Sequence, residues 1–293
     1  MEIGGSTMQG EMNHILLERG IEHRIDQPNH PVLIKWIETA YWMYFLLLYP
    51  IYYVWNKRDF DKKKVKNPFY ISKLVRLIEK HPRLYEWSMY VLNFPKPTSV
   101  YGFLPPIRGK VLQVGCGTGL LNKHMGREQS KNMVNLDINP YYLDYGVKKG
   151  RYDSYLLSGI YEVPMEDKSF DVIIFARCFH HIRYHKKAFA ECARLLRDNG
   201  EIWIADPVIL EEAKSGKSMT EGYMVNSSID GVIWRFTKSA MIKHIMKSLP
   251  ASLKLISVTD TRQPHMTNYN LKYAQTDILA VIVKNIDSAV VNN

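Results

Sequence analysis

The chain has 293 residues, of which 46% are hydrophobic and 23% charged, a composition typical of a folded protein. It excludes a disordered, collagen-like or low-complexity chain. The formal net charge of +10 favours anionic partners. Residues 1–20 have no basic start followed by an apolar run, so we expect no signal peptide. The three cysteines, Cys116, Cys178 and Cys192, do not make an even-numbered disulfide framework, so we expect a reduced, cytoplasmic protein.

The N-terminal part contains an uncharged apolar segment at residues 40–55, followed by a basic segment at residues 57–66. As a helix of ~1.5 Å per residue the apolar segment would reach roughly 24 Å, short of the ~30 Å hydrocarbon core, and Pro50 would kink it. Two interpretations stay open. One is a buried helix that covers the next domain, and the other is peripheral contact of residues 40–66 with the inner face of a membrane.

Two proline-rich stretches, residues 94–97 and 104–109, follow a helical pattern at residues 68–93. We therefore predict a helical N-terminal region at residues 1–99 and an α/β domain at residues 100–293. In the second region short apolar runs alternate with amphipathic stretches, which predicts a parallel sheet with helices on both faces. The seven strand candidates are residues 111–114, 133–136, 155–157, 172–175, 202–205, 253–258 and 278–283.

A glycine-rich turn follows the first strand candidate, in the sequence KVLQVGCGTGLL at residues 110–121. Gly115, Gly117 and Gly119 permit a tight turn and close approach of a ligand, and the helix start that follows offers free N–H groups. Asp137, at the end of the second strand candidate, can accept both hydroxyls of a ribose. Together these residues predict a ligand of the nucleoside type.

The glycine spacing separates two cofactors. A dinucleotide site has the pattern G-x-G-x-x-G, whereas this loop is G-x-G-x-G, with Leu120 where the third dinucleotide glycine would fall. NAD is therefore the alternative and not the first choice. Beyond Asp137, Asn139 and Pro140 are typical of the cap and first turn of the next helix.

Four ordered motifs carry a resemblance to a known family. They are the loop VLQVGCGTG, the acidic strand end at Asp137, VPMEDKSFD at residues 163–171 and RLLRDNGEIWI at residues 194–204. Through them the chain resembles the class I S-adenosylmethionine-dependent methyltransferases over roughly residues 100–285. The resemblance implies an enzyme with a Rossmann-like, seven-stranded, mostly parallel sheet, closed by an antiparallel hairpin, and S-adenosylmethionine as the cofactor.

The resemblance also implies a cofactor site. The loop from Gly115 to Gly119 would face the carboxypropyl part, Asp137 the ribose and Ile138 one face of the adenine. Where relatives often have an aspartate for the adenine amino group, this chain has Gly159, so we expect contact from the backbone at Ile160 or from Glu162. The predicted cofactor-binding residues are Gly115, Cys116, Gly117, Gly119, Asp137, Ile138, Ile160 and Arg177.

The fold implies that the methyl group points toward the residues after the fourth strand candidate. Methyl transfer from a sulfonium is an in-line displacement, and a base is needed only when the acceptor loses a proton. His180 and His181 are the catalytic candidates, with a positioning role as the alternative. Cys178, His181 and His185 have a metal-like spacing, but no carboxylate lies among them, so we expect no metal site.

An insertion between the fifth strand candidate and the helix after Thr237 is expected to cover the acceptor. Its aromatic and apolar residues either wall a pocket or belong to the core, and Arg177 and Arg235 either meet an anionic group of the substrate or form ion pairs. The wall candidates are Tyr223, Met224, Trp234 and Phe236.

We therefore expect methyl transfer to a small lipophilic or aromatic acceptor, of the secondary-metabolite or isoprenoid-quinone type. An RNA or protein methyltransferase is the first alternative, because of the positive charge. However, the sequence has no RNA-binding module and no Asn/Asp-Pro-Pro-aromatic motif, so no nucleic-acid partner is expected. The second alternative is a non-catalytic, membrane-recruited binding subunit with the same fold.

Overall fold

The computed structural model describes five stretches of the chain, residues 73–92, 99–209, 222–227, 231–260 and 275–285. The apolar and basic segments at residues 40–66 lie outside the described residues. In the part that is described, no helix is long and apolar enough to cross a membrane. The domain boundary expected at residue 100 stays a prediction.

The described stretches contain nine strands, seven of which form one sheet. The strands are β1 (Val111–Val114), β2 (Met133–Asp137), β3 (Tyr155–Leu157), β4 (Phe170–Ala176), β5 (Leu196–Ile209), β6 (Tyr223–Ser227), β7 (Gly231–Arg235), β8 (Leu253–Asp260) and β9 (Gln275–Lys284). The sheet has the order β3-β2-β1-β4-β5-β9-β8. Strands β1 to β5 are parallel, and β9 is antiparallel to β5 and β8. This confirms the predicted Rossmann-like, seven-stranded, mostly parallel sheet.

The α-helices of the described residues flank this sheet. They are α1 (Lys73–Lys80), α2 (Pro82–Leu92), α3 (Leu120–Met125), α4 (Arg127–Ser130), α5 (Pro140–Lys148), α6 (His185–Leu195) and α7 (Lys238–Ser248), with short 3-10 helices at Ser99–Phe103 and Phe179–His181. The Asn139 side chain caps α5 by accepting from the backbone N–H of Tyr141 and Tyr142. Thr237 caps α7 in the same way. Local residue types therefore place both helix starts.

The fifth strand is longer than its sequence pattern indicates. β5 has 14 residues and pairs with β9 from Glu201 to Ile209. The hairpin β6–β7 was not predicted, because residues 223–235 were interpreted as an insertion. Its second strand lies against the 3-10 helix Phe179–His181.

Apolar side chains cover both faces of the sheet. One cluster joins β4 and β5 to α6 and α7, with Phe175, Phe179 and Phe189 fully buried. The other joins the opposite face to α3 through Leu121 and Trp203. Burial of each such side chain contributes about 1.5–3 kcal/mol. The strand order reverses between β1 and β4, so the carboxyl ends of these strands form the crevice where ligands bind in such sheets.

Candidate active site

The loop between β1 and α3 depends on glycine at two crowded positions. Gly115 and Gly119 have φ angles of 61° and 79°, in the left-handed region that favours glycine. A Cβ at Gly115 would lie 2.7 Å from the Cβ of Cys178, and one at Gly119 would lie 2.7 Å from Cε1 of Tyr152. The loop conformation is therefore set by its backbone and by the side chains packed against it.

Asp137 ends β2 beside this loop. Its Oδ2 accepts a hydrogen bond from the backbone N–H of Gly117 at 2.7 Å, and its Oδ1 accepts from that of Asn139 at 2.8 Å. Burial raises the pKa of the Asp137 carboxyl, while the backbone N–H donors oppose the shift. A carboxylate has about four lone-pair sites. Asp137 can therefore hold the loop and still accept hydroxyl groups.

An apolar surface lies next to Asp137. The side chain of Ile138 is large and apolar, yet 75% of its surface is exposed. Its neighbour Gly159 has no side chain, and a Cβ there would lie 3.9 Å from Cγ2 of Ile138. The side chain of Ile160 belongs to the buried core, which leaves only its backbone for a ligand. An exposed apolar side chain beside a glycine suits the face of a planar ring.

Helix α2 lies over the glycine loop, a contact that the sequence did not predict. Oε1 of Glu86 accepts from Oγ1 of Thr118 at 2.8 Å, and the same carboxylate forms an ion pair with Arg151. Arg151 also donates to the carbonyl of Thr118 at 2.7 Å. A Cβ at Gly117 would lie 3.6 Å from the hydroxyl of Tyr85. Only the helical pattern of residues 68–93 hinted at this element, and no sequence motif pointed to its site.

At the ends of β4 and β5, His180 and Asp206 form a buried pair. Nδ1 of His180 lies 3.0 Å from both carboxylate oxygens, and the backbone N–H of His180 donates to Oδ2 at 3.0 Å. Burial raises the pKa of the Asp206 carboxyl, and the imidazole opposes the shift. Beside an ionised carboxylate Nδ1 is the donor, so the lone pair of the neutral ring is on Nε2. The sequence singled out His180 and missed Asp206 as its partner.

The structure separates the two histidines that the sequence treated alike. His181 is exposed, and its ring centroid lies 4.2 Å from that of His180. His180 is 7% exposed and carries the carboxylate contact. Of the two, His180 therefore has the geometry of an oriented base, while the catalytic role itself stays a prediction.

Arg177, a residue of the predicted cofactor group, forms a largely buried ion pair. Its guanidinium forms an ion pair with Asp277 of β9, at 2.7 Å between Nη2 and Oδ2. Burial lowers the pKa of Arg177, but Asp277 raises it more, and the pKa is higher than usual. This side chain is thus directed to the last strand of the sheet, which is the ion-pair alternative of the sequence analysis, and its contact with the cofactor stays a prediction.

The side chain of Cys116, another residue of the predicted cofactor group, is packed in the protein core. Its thiol packs with Leu143 and Tyr152, and burial raises its pKa well above the ordinary value. At this position the side chain belongs to the core, so only the Cys116 backbone remains for the cofactor.

The residues with metal-like spacing have other partners. Sγ of Cys178 donates to the carbonyl of Val114 at 2.9 Å. His185 bonds the carbonyl of Phe179 through Nε2 and His244 through Nδ1. Within the described stretches no three potential ligands converge.

Two aromatic side chains at the end of β7 pack against each other and against two histidines. The rings of Trp234 and Phe236 stack at 5.5 Å, and both lie near the rings of His185 and His244. Phe236 is fully buried, whereas Tyr223 is exposed. The core interpretation therefore fits Phe236, and Tyr223 is the wall candidate that faces outward.

Comparisons with known proteins agree with this geometry. Residues 112–204 match the family model described as a methyltransferase domain. A malonyl-[acyl-carrier protein] O-methyltransferase of Serratia marcescens is 32% identical over 93 residues, which cover 32% of this chain and 36% of that protein. An uncharacterized methyltransferase-like protein of Schizosaccharomyces pombe is 29% identical over 92 residues, 31% of this chain and 36% of that protein. The chain thus matches little more than a third of the length of these curated relatives.

A solved structure extends the likeness of the fold. The 1,6-didemethyltoxoflavin-N1-methyltransferase of Burkholderia thailandensis is 16% identical, with a TM-score of 0.50, and the match covers 72% of this chain and 86% of that one. The family match thus identifies a methyltransferase domain at residues 112–204, and the solved structure shows the same fold around it. S-adenosylmethionine is its cofactor, as the resemblance of the sequence motifs implied. The tight glycine loop, the Asp137 carboxylate and the exposed Ile138 fit the methionine, ribose and adenine parts.

Proposed function

We propose that this protein transfers the methyl group of S-adenosylmethionine to a small lipophilic or aromatic acceptor, at an atom that loses a proton. The observation that carries the proposal is the buried pair of His180 and Asp206 at the ends of β4 and β5. An oriented imidazole at this edge of the sheet serves an acceptor with a proton to lose. An acceptor without one has no need of it.

Exposed aromatic side chains near the same edge support an aromatic acceptor. The rings of Tyr161 and Tyr184 lie 5.8 Å apart, and both are exposed. The hydroxyl of Tyr161 accepts hydrogen bonds from the backbone N–H of Arg183 and Tyr184 at 3.0 and 3.3 Å. These bonds hold the Tyr161 ring beside the turn that carries His180 and His181. The Burkholderia structure of similar fold is named for methyl transfer to 1,6-didemethyltoxoflavin, which is consistent with a small-molecule acceptor.

When bound, S-adenosylmethionine supplies the methyl group as a substituent of a sulfonium. The backbone of the glycine loop, with Asp137 and Ile138, would hold the cofactor along β1 and β2. His180 would accept the proton of the acceptor at Nε2, and the Asp206 carboxylate would stabilise the imidazolium that forms. Alignment of donor and acceptor in one crevice would supply much of the acceleration.

The decisive experiment uses S-adenosylmethionine with a labelled methyl group and an extract of the producing cells. We expect the label in a small lipophilic product that is one CH₂ unit heavier than its precursor. The His180→Ala variant should bind cofactor and fail to form this product. Label in the RNA or protein fraction would instead support the first alternative. Cofactor binding without any transfer would support a non-catalytic subunit.

Peripheral membrane contact through residues 40–66 is a separate proposal, and the composition of that segment supports it. Binding to anionic vesicles should fall with added salt and should vanish when Lys62, Lys63 and Lys64 are reversed to glutamate. Equal co-sedimentation with neutral and anionic vesicles would contradict the electrostatic part. Absence of co-sedimentation would favour a helix buried in the protein.

A further inference from the structure

Helix α2 lies outside the residues that match the methyltransferase family, yet its Glu86 bonds the glycine loop. The carboxylate accepts a hydrogen bond from Oγ1 of Thr118 at 2.8 Å. It also forms a two-point ion pair with Arg151, in which Nη1 donates to Oε1 and Nη2 donates to Oε2. Nη1 of Arg151 donates in addition to the carbonyl of Thr118 at 2.7 Å. The hydroxyl and the carbonyl of Thr118 are therefore both bonded by this ion pair.

The three side chains of this network are shielded from water. Thr118 is fully buried, and the side chains of Glu86 and Arg151 are only 13% and 9% exposed. Burial raises the pKa of the Glu86 carboxyl, but hydrogen bonds from Arg151 and Thr118 lower it more, and the pKa is below its ordinary value. The carboxylate is therefore ionised at neutral pH. Hydrogen bonds to an ionised acceptor are roughly twice as strong as neutral ones.

Thr118 has a special place in the loop, because it stands between Gly117 and Gly119. Both glycines have left-handed φ angles, of 54° and 79°. Glycine adopts left-handed and right-handed conformations about equally readily, so contacts with the rest of the protein must select one of them. Asp137 bonds the backbone N–H of Gly117. A side-chain contact can hold this three-residue turn only at Thr118, and the Glu86–Arg151 pair makes that contact.

Helices α1 and α2 also contact the other side of the predicted ribose carboxylate. The backbone carbonyl of Glu79 in α1 accepts from Nδ2 of Asn139 at 3.0 Å. The backbone N–H of Asn139 in turn donates to Asp137 at 2.8 Å. The rings of Tyr85 in α2 and Tyr142 in α5 lie 4.7 Å apart. The two helices are therefore bonded to the cofactor half both at the glycine loop and at the start of α5.

A gain in stability is a poor explanation of the buried ion pair. Removing two charges from water offsets most of their mutual attraction, and an apolar contact of the same volume would join α2 to the loop as well. Directed hydrogen bonds from a charged pair add a defined position of the bonded atoms. That property matters where a ligand approaches the backbone, as it does in the predicted cofactor loop.

We propose that Glu86 is a positioning residue for S-adenosylmethionine, which sets the conformation of the glycine loop through Thr118 and thereby the affinity for the cofactor. The proposal rests on the assignment of this loop to the cofactor. Glu86 itself needs no contact with the ligand, because it acts on the backbone that binds it. The cofactor affinity of the methyltransferase domain then depends on a helix outside the family match.

Titration calorimetry with S-adenosylhomocysteine tests this inference. Glu86→Gln keeps the shape of the side chain and removes its charge, so we expect the affinity to fall about five- to twenty-fold. Glu128→Gln is the matched control, because Glu128 is exposed and pairs with Lys131 at 2.9 Å on the surface. Its affinity should equal that of the wild type. A merely structural contact would lower the midpoint of urea unfolding in Glu86→Gln and leave the dissociation constant unchanged, which would overturn the proposal.

A double-mutant cycle tests whether Glu86 acts through Thr118. Thr118→Val removes the hydroxyl and nearly keeps the shape of the side chain. If the two residues act as one unit, the double variant should lose about as much affinity as Glu86→Gln alone. Additive losses would overturn the positioning role. The fitted stoichiometry gives the folded fraction separately from the dissociation constant, so a partly unfolded variant still decides the question.

Asp137→Ala separates this inference from the cofactor site on which it rests. A loss of affinity in Asp137→Ala together with wild-type affinity in Glu86→Gln would overturn the role of Glu86 and keep the site. Wild-type affinity in both variants would overturn the site itself. We expect both variants to bind S-adenosylhomocysteine more weakly than the wild type.

Discussion

The two halves of the candidate active site are stabilised by different interactions. The cofactor half, around Gly119 and Asp137, relies on left-handed backbone angles, backbone N–H donors and close packing. The acceptor half relies on buried side-chain pairs, His180 with Asp206 and Arg177 with Asp277. The comparison shows that the conformation of the backbone defines the cofactor half, whereas paired charged side chains define the acceptor half. Changes in the first should alter folding and binding, and changes in the second should alter turnover.

The largest effect is expected for His180. His180→Ala should lower kcat by about 10²–10⁴, because the proton of the acceptor then has no oriented base. Single-turnover assays with the identified acceptor would measure this loss. The dissociation constant for S-adenosylhomocysteine should stay unchanged, and His181→Ala should change kcat much less. Equal losses in the two variants would show that the Asp206 contact does not distinguish the histidines.

Asp206→Asn sharpens the same comparison. The amide keeps the volume of the side chain and removes the charge that stabilises an imidazolium, so kcat should fall and KM should change little. The acidic limb of the pH–rate profile should also move. An unchanged profile would contradict the role of Asp206 in the reaction.

Gly119→Ala is expected to disturb the conformation of the glycine loop in the cofactor half. The methyl group would meet the Tyr152 ring at 2.7 Å, and the φ angle of 79° is strained for alanine. We expect a loss of about 2–4 kcal/mol in the free energy of unfolding, the sum of overpacking and backbone strain. Urea denaturation would measure it. Gly126→Ala, with open space and a similar φ angle, should lose only about 1–2 kcal/mol, and Gly102→Ala about 0.5 kcal/mol or less.

Asp137→Ala tests the carboxylate that bonds the glycine loop and that is predicted to accept the ribose hydroxyls. Charge-assisted hydrogen bonds contribute about 1.5–3 kcal/mol, so the affinity for S-adenosylmethionine should fall roughly 10- to 100-fold. Calorimetry with the cofactor product gives the dissociation constant. Asp137→Asn keeps one carbonyl acceptor and should lose less affinity. A dissociation constant that is unchanged in Asp137→Ala would remove the basis of the cofactor site.

The last prediction concerns the pH dependence of the free energy of unfolding, through a buried histidine next to the acceptor half. Burial lowers the pKa of His185 to about 3, from an ordinary value of 6.5. The unfolded chain therefore binds a proton that the folded chain excludes, and stability falls as the pH decreases below about 6.5. Between pH 7 and pH 5 this costs about 2 kcal/mol at 1.36 kcal/mol per pKa unit. His185→Phe should show a smaller loss over that range in urea titrations, and an equal loss would contradict the assignment.

The sequence by itself predicted the seven strands of the large sheet, the glycine loop and the carboxylate of Asp137 beside it. These features depend on local requirements, because apolar runs form buried strands and a left-handed turn needs glycine whatever surrounds it. The loop and Asp137 lie within residues 110–137, and the cap of α5 follows at Asn139. The spacing G-x-G-x-G disfavoured NAD, since the position of the third glycine is also a local property, and the resemblance carried by the four motifs implied S-adenosylmethionine.

Only the tertiary structure decided the partners of the charged side chains. His180 and Asp206 are 26 residues apart, and they meet because β4 pairs with β5. Arg177 and Asp277 are 100 residues apart, and Glu86 reaches Arg151 across 65 residues. A buried charge selects whichever opposite charge the fold brings within hydrogen-bond distance, because desolvation leaves it no stable alternative. Sequence spacing does not encode that choice, which is why the sequence left the ligand and ion-pair alternatives of Arg177 open and did not identify Asp206 as the partner of His180.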